Sequence, residues 1–211
     1  MILKLPNSAL VNKFIAKNKF YERANLSTKL ENEFVRKIQK ITWKYKLSEE
    51  TIGISKTESV TEIQIFELEL KEQEIPKNVL KIIDKSIPYQ ILYIFTYNDN
   101  IAYGITLKEN NAVENYYFSE WNEEMHFEFT GINLESVYQK LIRAFLPEEF
   151  QSQENFTEAV TLDLKIKDLK KEINFLENKI RKEIQFNRKV ETNKMLLAKR
   201  NELELLKRNL M

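Results

Sequence analysis

The feature that constrains the fold most is a heptad of branched aliphatic residues near the carboxyl end of this 211-residue chain. Leu and Ile alternate there at steps of four, three, four, three and four residues. This spacing places one apolar stripe along a helix and is typical of a coiled-coil seam. We therefore predict a helical tail whose seam serves self-packing or homo-oligomerisation. The seam consists of Leu162, Ile166, Leu169, Ile173, Leu176 and Ile180.

The heptad register fails after Ile180, because its continuation would place Glu183 and Asn187 in the seam. A second apolar pattern in a different phase begins at Leu196. Either two helices fold back near Asn187 as an antiparallel hairpin, or one long helix continues through the polar stretch 183–193. The absence of Gly and Pro from this stretch favours one helix, whereas the change of phase favours the hairpin, which we prefer. The second pattern consists of Leu196, Leu203, Leu206 and Leu210.

Before the tail, helical and strand periods follow each other in an order that predicts an α+β domain with a mainly antiparallel sheet flanked by helices. Nearly continuous apolar runs in the predicted strands 61–71 and 89–97 favour a central position in the sheet. We expect the α+β domain to span residues 1–147, with a polar linker at 148–155 and the helical tail at 156–211. The predicted helices cover residues 9–15, 27–45, 78–87 and 134–145. The other predicted strands cover residues 101–107, 113–118 and 125–129. Residues 17–23 are predicted as a strand or an extended arm.

Composition excludes several kinds of site. The chain has no Cys and a single His, His126, which excludes disulfides, thiolate metal sites and a Cys nucleophile and removes most zinc-ligand sets. Three glycines in total argue against a phosphate-binding loop. We expect no metal and no cofactor. The amino terminus lacks the apolar core of a signal peptide, and no run approaches the roughly 18 apolar residues of a membrane span, so we expect a cytoplasmic protein that does not contact a membrane.

Charge is unevenly distributed, although the formal net charge is +1. Residues 1–47 carry 11 Lys and Arg against 3 Asp and Glu, residues 48–160 carry 8 against 21, and residues 161–211 carry 14 against 8. The basic ends either bind an acidic polymer or pack against the acidic middle. In the first segment the cations are interleaved with aromatic residues such as Trp43, a pattern suited to phosphate neutralisation and base stacking. The candidate nucleic-acid-binding residues are Lys13, Lys17, Lys19, Arg23, Arg36, Lys37, Lys40 and Lys44, together with Arg188 and Lys189 in the polar stretch of the tail.

A Glu-x-Lys sequence gives one catalytic hypothesis. Glu67, Glu69 and Lys71 share one face of the predicted strand 61–71, and Asp84 follows in the next helix. Metal-dependent nucleases use carboxylates to hold Mg²⁺ and a lysine to orient the attacking water. The motif is short and recurs by chance, and a solvated strand face is the simpler interpretation.

The stretches LPNSALVNKFIAKNKFYE, ITWKYKLSEETI, EIQIFELELK, IDKSIPYQILYIFTY and KEIQFNRKVETNK are spread over nearly the whole chain. Together they resemble an uncharacterised bacterial family known only as a domain of unknown function. The resemblance implies a setting beside helicase and DNA-methyltransferase genes in restriction-like or antiphage defence loci. It supplies no catalytic residues.

Three functions follow from these observations. The first is a non-enzymatic accessory or assembly subunit of a bacterial DNA-handling complex, which docks onto a helicase- or methyltransferase-type protein partner or onto DNA, and which forms homo-oligomers through the tail. The second is a Mg²⁺-dependent nuclease of the Glu-x-Lys type. The third is a stand-alone, non-specific nucleic-acid-binding protein.

Overall fold

The computed structural model describes residues 3–24, 26–109, 112–151 and 153–208, so Leu210 of the second apolar pattern lies outside the described residues. The chain divides into two compact units, Met1–Phe145 and Leu146–Met211. The first unit contains a six-stranded, mainly antiparallel sheet with helices, and the second contains a helical hairpin. The predicted α+β fold class is therefore confirmed, and the tail adopts the hairpin.

The six strands lie side by side in chain order. They are β1 (Leu10–Phe14), β2 (Ile38–Leu47), β3 (Ile63–Leu70), β4 (Gln90–Tyr97), β5 (Asn100–Glu109) and β6 (Ala112–Phe118). The helices of this unit are α1 (Asn18–Ala24), α2 (Thr28–Lys37), α3 (Glu49–Ile52), α4 (Lys77–Ser86) and α5 (Leu134–Arg143), and a 3₁₀ turn at Asn7–Ala9 precedes β1.

Among these strand pairs, β3 and β4 are parallel and the others are antiparallel. Helix α4 connects the parallel pair, because parallel neighbours need a long crossover. The two central strands, β3 and β4, are the ones whose apolar runs predicted that position. Helix α5 lies against β5 and begins after the predicted cap Asn133, whose side chain accepts a hydrogen bond from the Ser136 amide at 2.8 Å.

The amino-terminal part of the chain differs from the sequence prediction. Residues 9–15, predicted as a helix, form the 3₁₀ end and β1, and residues 17–23 lie mostly in α1 instead of an extended segment. The helix predicted over 27–45 ends at Lys37, where the chain continues directly as β2. Residues 125–129, predicted as a strand, have no regular secondary structure.

A bulge explains why the helix prediction over 27–45 went too far. The register of β2 against β3 shifts between Ile38 and Lys40. In a regular strand, residues three apart point to opposite faces, but the bulge allows both Ile38 and Ile41 to enter one buried cluster. A bulged strand thus imitates the spacing of a helical face.

One face of the sheet is covered by α1, α2 and α4. Phe34 of α2, Leu80 of α4 and Leu68 of β3 belong to one buried cluster on this face. Leu68 alternates along β3 with Glu67 and Glu69, so the two glutamates lie on the opposite face of the sheet.

In its described residues, the second unit contains α6 (Glu148–Gln151), α7 (Phe156–Lys182) and α8 (Phe186–Arg208). Residues 148–155, where we expected a linker, thus contain the one-turn helix α6. Ile173 and Leu176 of α7 bury against Leu196 of α8, with Ile180 and Leu203 packed beside them. This part of the predicted seam packs within the chain, and homo-oligomerisation through the seam stays a prediction. Of the helices in the described ranges, none has the length and apolar content that a membrane crossing requires.

Candidate nucleic-acid interface

A cleft of about 490 Å³ lies at the β1 edge of the sheet, on the face that α1 covers. It collects residues from β1, α1, β2 and β3 and from the segment that follows α4. Its character is both basic and aromatic. The cations are Lys13, Lys19 and Arg23, and the aromatic side chains include Trp43, Phe66 and Tyr89.

Two aromatic rings on neighbouring strands lie side by side in the cleft. Trp43 of β2 is the cross-strand partner of Phe66 of β3, and their ring planes differ by 10° with centroids 6.4 Å apart. The indole Nε1 of Trp43 donates a hydrogen bond to the Tyr45 carbonyl at 3.0 Å, which fixes the ring. Phe66 is buried and Trp43 is half-buried, so part of the indole is accessible to a ligand.

Lys13 reaches the cleft through an irregularity in β1. The register of β1 against β2 shifts between Leu10 and Lys13, and Asn12 between them has a φ of 47°. Asn adopts this left-handed conformation more readily than most residues, and such a bulge changes the direction of the side chains that follow it. Lys13 becomes the cross-strand partner of Trp43, and partners in a strand pair share one face of the sheet. The cation and the indole therefore line the same cleft.

Helix α1 contributes Lys19 and Arg23, which are four residues apart and so lie on one side of the helix. Arg23 Nη1 donates a hydrogen bond to the Ser86 carbonyl at 3.0 Å and connects α1 to the end of α4. A guanidinium has five N–H donors, which leaves others for an anionic ligand. Glu22 also lines the cleft, so a carboxylate stands among the three cations.

Other predicted cations lie outside the cleft and contact the protein itself. Lys17 Nζ donates to the Ile38 carbonyl at 2.5 Å, and burial lowers its pKa, as does the charge of Lys71. Lys44 Nζ pairs with the Glu67 carboxylate at 3.2 Å.

Lys37 is the most strongly paired of these cations. Its ammonium group lies 2.6 Å from a carboxylate oxygen of Glu72 and 2.6 Å from one of Glu74. The hydrogen bonds to these two carboxylates raise the pKa of Lys37. Of the remaining candidates, Arg36 and Lys40 do not line the cleft, and Arg188 and Lys189 lie in the first turn of α8, in the second unit.

The structure does not bring together the four residues of the nuclease hypothesis. Glu67 and Glu69 lie on the sheet face opposite α4, whereas Asp84 is buried on α4 itself. Lys71 follows the end of β3. Within the described part of the chain, no group of three or more His, Asp or Glu side chains is placed to hold a metal ion.

Asp84 belongs instead to a buried polar cluster between α4 and the sheet. Its carboxylate accepts hydrogen bonds from Thr106 Oγ1 at 3.0 Å and from the Tyr116 hydroxyl at 2.8 Å, and it lies 3.3 Å from Lys108 Nζ. Burial raises the pKa of Asp84, although the Lys108 charge and the hydroxyl donors oppose this shift. Burial likewise lowers the pKa of Lys108, against the charge of Asp84.

Sequence reasoning missed Lys108. The two charged residues are 24 positions apart on different elements, and no spacing rule connects them. One local signal was available: Asp84 lies on the apolar face of an amphipathic helix, beside Leu80 and Ile83. A charged residue at such a position needs a buried partner.

A family model matches the chain over residues 3–203, which is nearly its whole length. The chain belongs to the DUF4391 family. The family is described as a domain of unknown function, so membership confirms the resemblance to an uncharacterised family and assigns no activity. The genomic setting that the resemblance implies stays a prediction. No curated protein and no solved structure matches the chain with statistical significance.

Proposed function

We propose that this chain is a non-enzymatic, nucleic-acid-binding accessory subunit of a bacterial DNA-handling complex, and that its cleft holds a single-stranded segment. The observation that supports this function is that Lys13, Lys19 and Arg23 line the same cleft as the partly accessible side chain of Trp43. Cations neutralise phosphates and supply most non-specific affinity, and aromatic rings stack on bases of any identity.

The aromatic lining favours a single strand over a duplex. Each base in a duplex is already stacked between its neighbours, whereas an unpaired base can place its face against Trp43. A volume of about 490 Å³ lies within the range of about 300–1,000 Å³ that is usual for small-ligand sites. The cleft therefore suits a short unstacked segment.

An accessory role is proposed because the catalytic candidates lie apart, while the second unit offers a surface for a protein partner. Two large apolar side chains at the turn between α7 and α8 are strongly exposed, Ile184 at 95 % and Phe186 at 76 %, and Phe175 within α7 is 67 % exposed. Ile184 and Phe186 are two residues apart, and exposed apolar groups that form a contiguous patch commonly mark interaction sites. A helicase- or methyltransferase-type partner is the expectation that the family resemblance adds.

Nucleic-acid binding is tested by fluorescence anisotropy with a labelled oligo-thymidylate. Each phosphate contact with a single strand contributes about −0.7 to the slope of log affinity against log salt concentration, so three cations predict a slope near −2. The double variant Lys13→Glu and Lys19→Glu is expected to bind at least about tenfold more weakly. The matched control reverses Lys56 and Lys81, two exposed lysines outside the cleft. Equal affinity of the two double variants would show that the cleft is not the binding site.

The accessory role is tested separately by co-purification with helicase- and methyltransferase-type proteins, which the family resemblance implies are encoded beside the gene. Association that weakens when Ile184 and Phe186 are both changed to Ser supports the role of the hairpin. Failure of the intact chain to associate with any of these proteins argues against an accessory subunit.

A further inference from the structure

We infer that Lys108 is a positioning residue for the cleft, because its ammonium group holds in place the segment 87–89 that forms one wall. This inference concerns the same cleft and rests on the proposed function. Residues 87–89 are Ile87, Pro88 and Tyr89, and all three line the cleft.

The Lys108 ammonium group donates hydrogen bonds to three backbone carbonyls. The acceptors are the carbonyl oxygens of Asp84 at 3.3 Å, Ile87 at 2.8 Å and Tyr89 at 2.6 Å. An ammonium group has three N–H donors, and each of them has a carbonyl here. The side chain of Lys108 is fully buried, so water does not compete for these bonds.

The segment needs such a donor because α4 ends directly before it. The last carbonyls of a helix have no partner within the helix. Pro88 follows at once, and its nitrogen carries no hydrogen that could satisfy a neighbouring carbonyl. Lys108 reaches these oxygens from β5, on the far side of β4, and therefore connects the cleft wall to the sheet.

A second cation holds the same helix end from the cleft itself. Arg23 of α1 donates to the Ser86 carbonyl, while Lys108 takes the carbonyls of Asp84 and Ile87 on either side of it. The placement of Arg23, one of the proposed phosphate ligands, therefore depends on the end of α4 that Lys108 fixes. The carboxylate of Asp84 lies 3.3 Å from Lys108 Nζ and compensates its charge, so the two side chains act together at this helix end.

The test compares oligo-thymidylate affinity with stability in three variants. Lys108→Met leaves Asp84 without its counter-charge. The double variant Asp84→Asn, Lys108→Met removes both charges and keeps the core neutral, so it serves as the test variant if Lys108→Met does not fold. Val137→Ala, in a fully buried position of α5 away from the cleft, is the control for lost stability alone. All affinities are measured well below the thermal midpoint of each protein.

The double variant is expected to fold and to bind about tenfold more weakly than wild type, the loss of roughly one stacking contact, because residues 87–89 still lack their donor. Val137→Ala should bind like wild type even if its thermal midpoint is lowered to that of the double variant. If the double variant binds like wild type, the inference is overturned while nucleic-acid binding stands. If affinity falls equally in Val137→Ala, the role of Lys108 is structural only. If wild type does not bind at all, the proposed function fails and the inference with it.

Discussion

Asp84 and Lys108 face each other across 3.3 Å, and neither side chain has any exposed surface. Desolvation of two charges is costly, and their attraction offsets this cost only when further hydrogen bonds satisfy the remaining donors and acceptors. Here Thr106 and Tyr116 donate to the carboxylate, and backbone carbonyls surround the ammonium group. The pair is therefore fully satisfied, and the loss of one member leaves an uncompensated charge in the core.

Asp84→Asn is expected to lower the free energy of unfolding by about 3 kcal/mol, since breaking a buried pair by removing one charge typically costs about 3–5 kcal/mol. The same change at Asp99, an exposed residue of the turn between β4 and β5, should stay within about 0.5 kcal/mol of wild type. Urea unfolding of both variants measures the difference. Equal midpoints would mean that the pair contributes no net stability.

Alkaline pH is expected to destabilise the α+β unit through three tyrosines around this pair. Burial raises the pKa of Tyr93, Tyr116 and Tyr138, and the Asp84 charge adds to the shift at all three. The folded state therefore holds these phenolic protons more tightly than the unfolded chain does. Their contribution is complete below the unfolded pKa of about 10 and is lost as the pH rises toward the folded values.

Tyr116→Phe isolates this effect. Lys108, whose pKa burial lowers, acts in the opposite direction but is present in both proteins. The slope of unfolding free energy against pH, measured by urea unfolding between about pH 9 and pH 11, should be less steep in the variant than in wild type. Parallel slopes would show that Tyr116 does not contribute.

Gly104→Ala is expected to cost about 2 kcal/mol, in the range usual for overpacking. A Cβ atom at this position would lie 2.8 Å from Phe118 Cδ1 and 2.9 Å from Phe95 Cε2, so at least one ring must move. Phe118→Leu in the Gly104→Ala background should recover part of the loss if the clash is the cause. Additive effects in that double-mutant cycle would contradict this explanation.

Ile173→Ala is expected to destabilise the helical hairpin by about 2 kcal/mol, because Ile173 is buried against Leu196. Phe175→Ala, two residues further on but 67 % exposed, should change stability by less than about 0.5 kcal/mol. Hydrogen exchange of the α7 and α8 amides measures the hairpin directly. Equal protection in the two variants would place Ile173 outside the stabilising core.

Trp43→Leu is expected to weaken oligo-thymidylate binding by about 1–3 kcal/mol, the usual contribution of one aromatic–base stack. Trp121→Leu is the control, because Trp121 is also half-buried but does not line the cleft. In a Trp121→Phe background, quenching of the remaining indole fluorescence by the oligonucleotide reports on Trp43. Unchanged affinity in Trp43→Leu would remove stacking from the proposed mode of binding.

Several features could be predicted from local pattern. The apolar runs of β3 and β4 predicted central strands because a strand that is buried on both faces has no polar alternation. Asn133 was recognisable as a helix cap, and the phase change after Ile180 predicted the hairpin. The helix predicted over 27–45 failed because the bulge in β2 gives Ile38 and Ile41 the spacing of a helical face.

By itself the sequence determined the α+β class and the helical tail, because apolar periodicity is a signal carried by neighbouring residues. It also determined the exclusion of cysteine chemistry, because composition can be counted without knowing the fold. The tertiary structure decided which of the many cations meet Trp43. The bulge in β1 places Lys13 in the cleft, and helix α1 places Arg23 there, whereas Lys37 pairs with carboxylates outside the cleft. The tertiary structure also joined Asp84 to Lys108. Such contacts depend on strand register and on the path of the crossover helix, and neither leaves a periodic signal in the sequence.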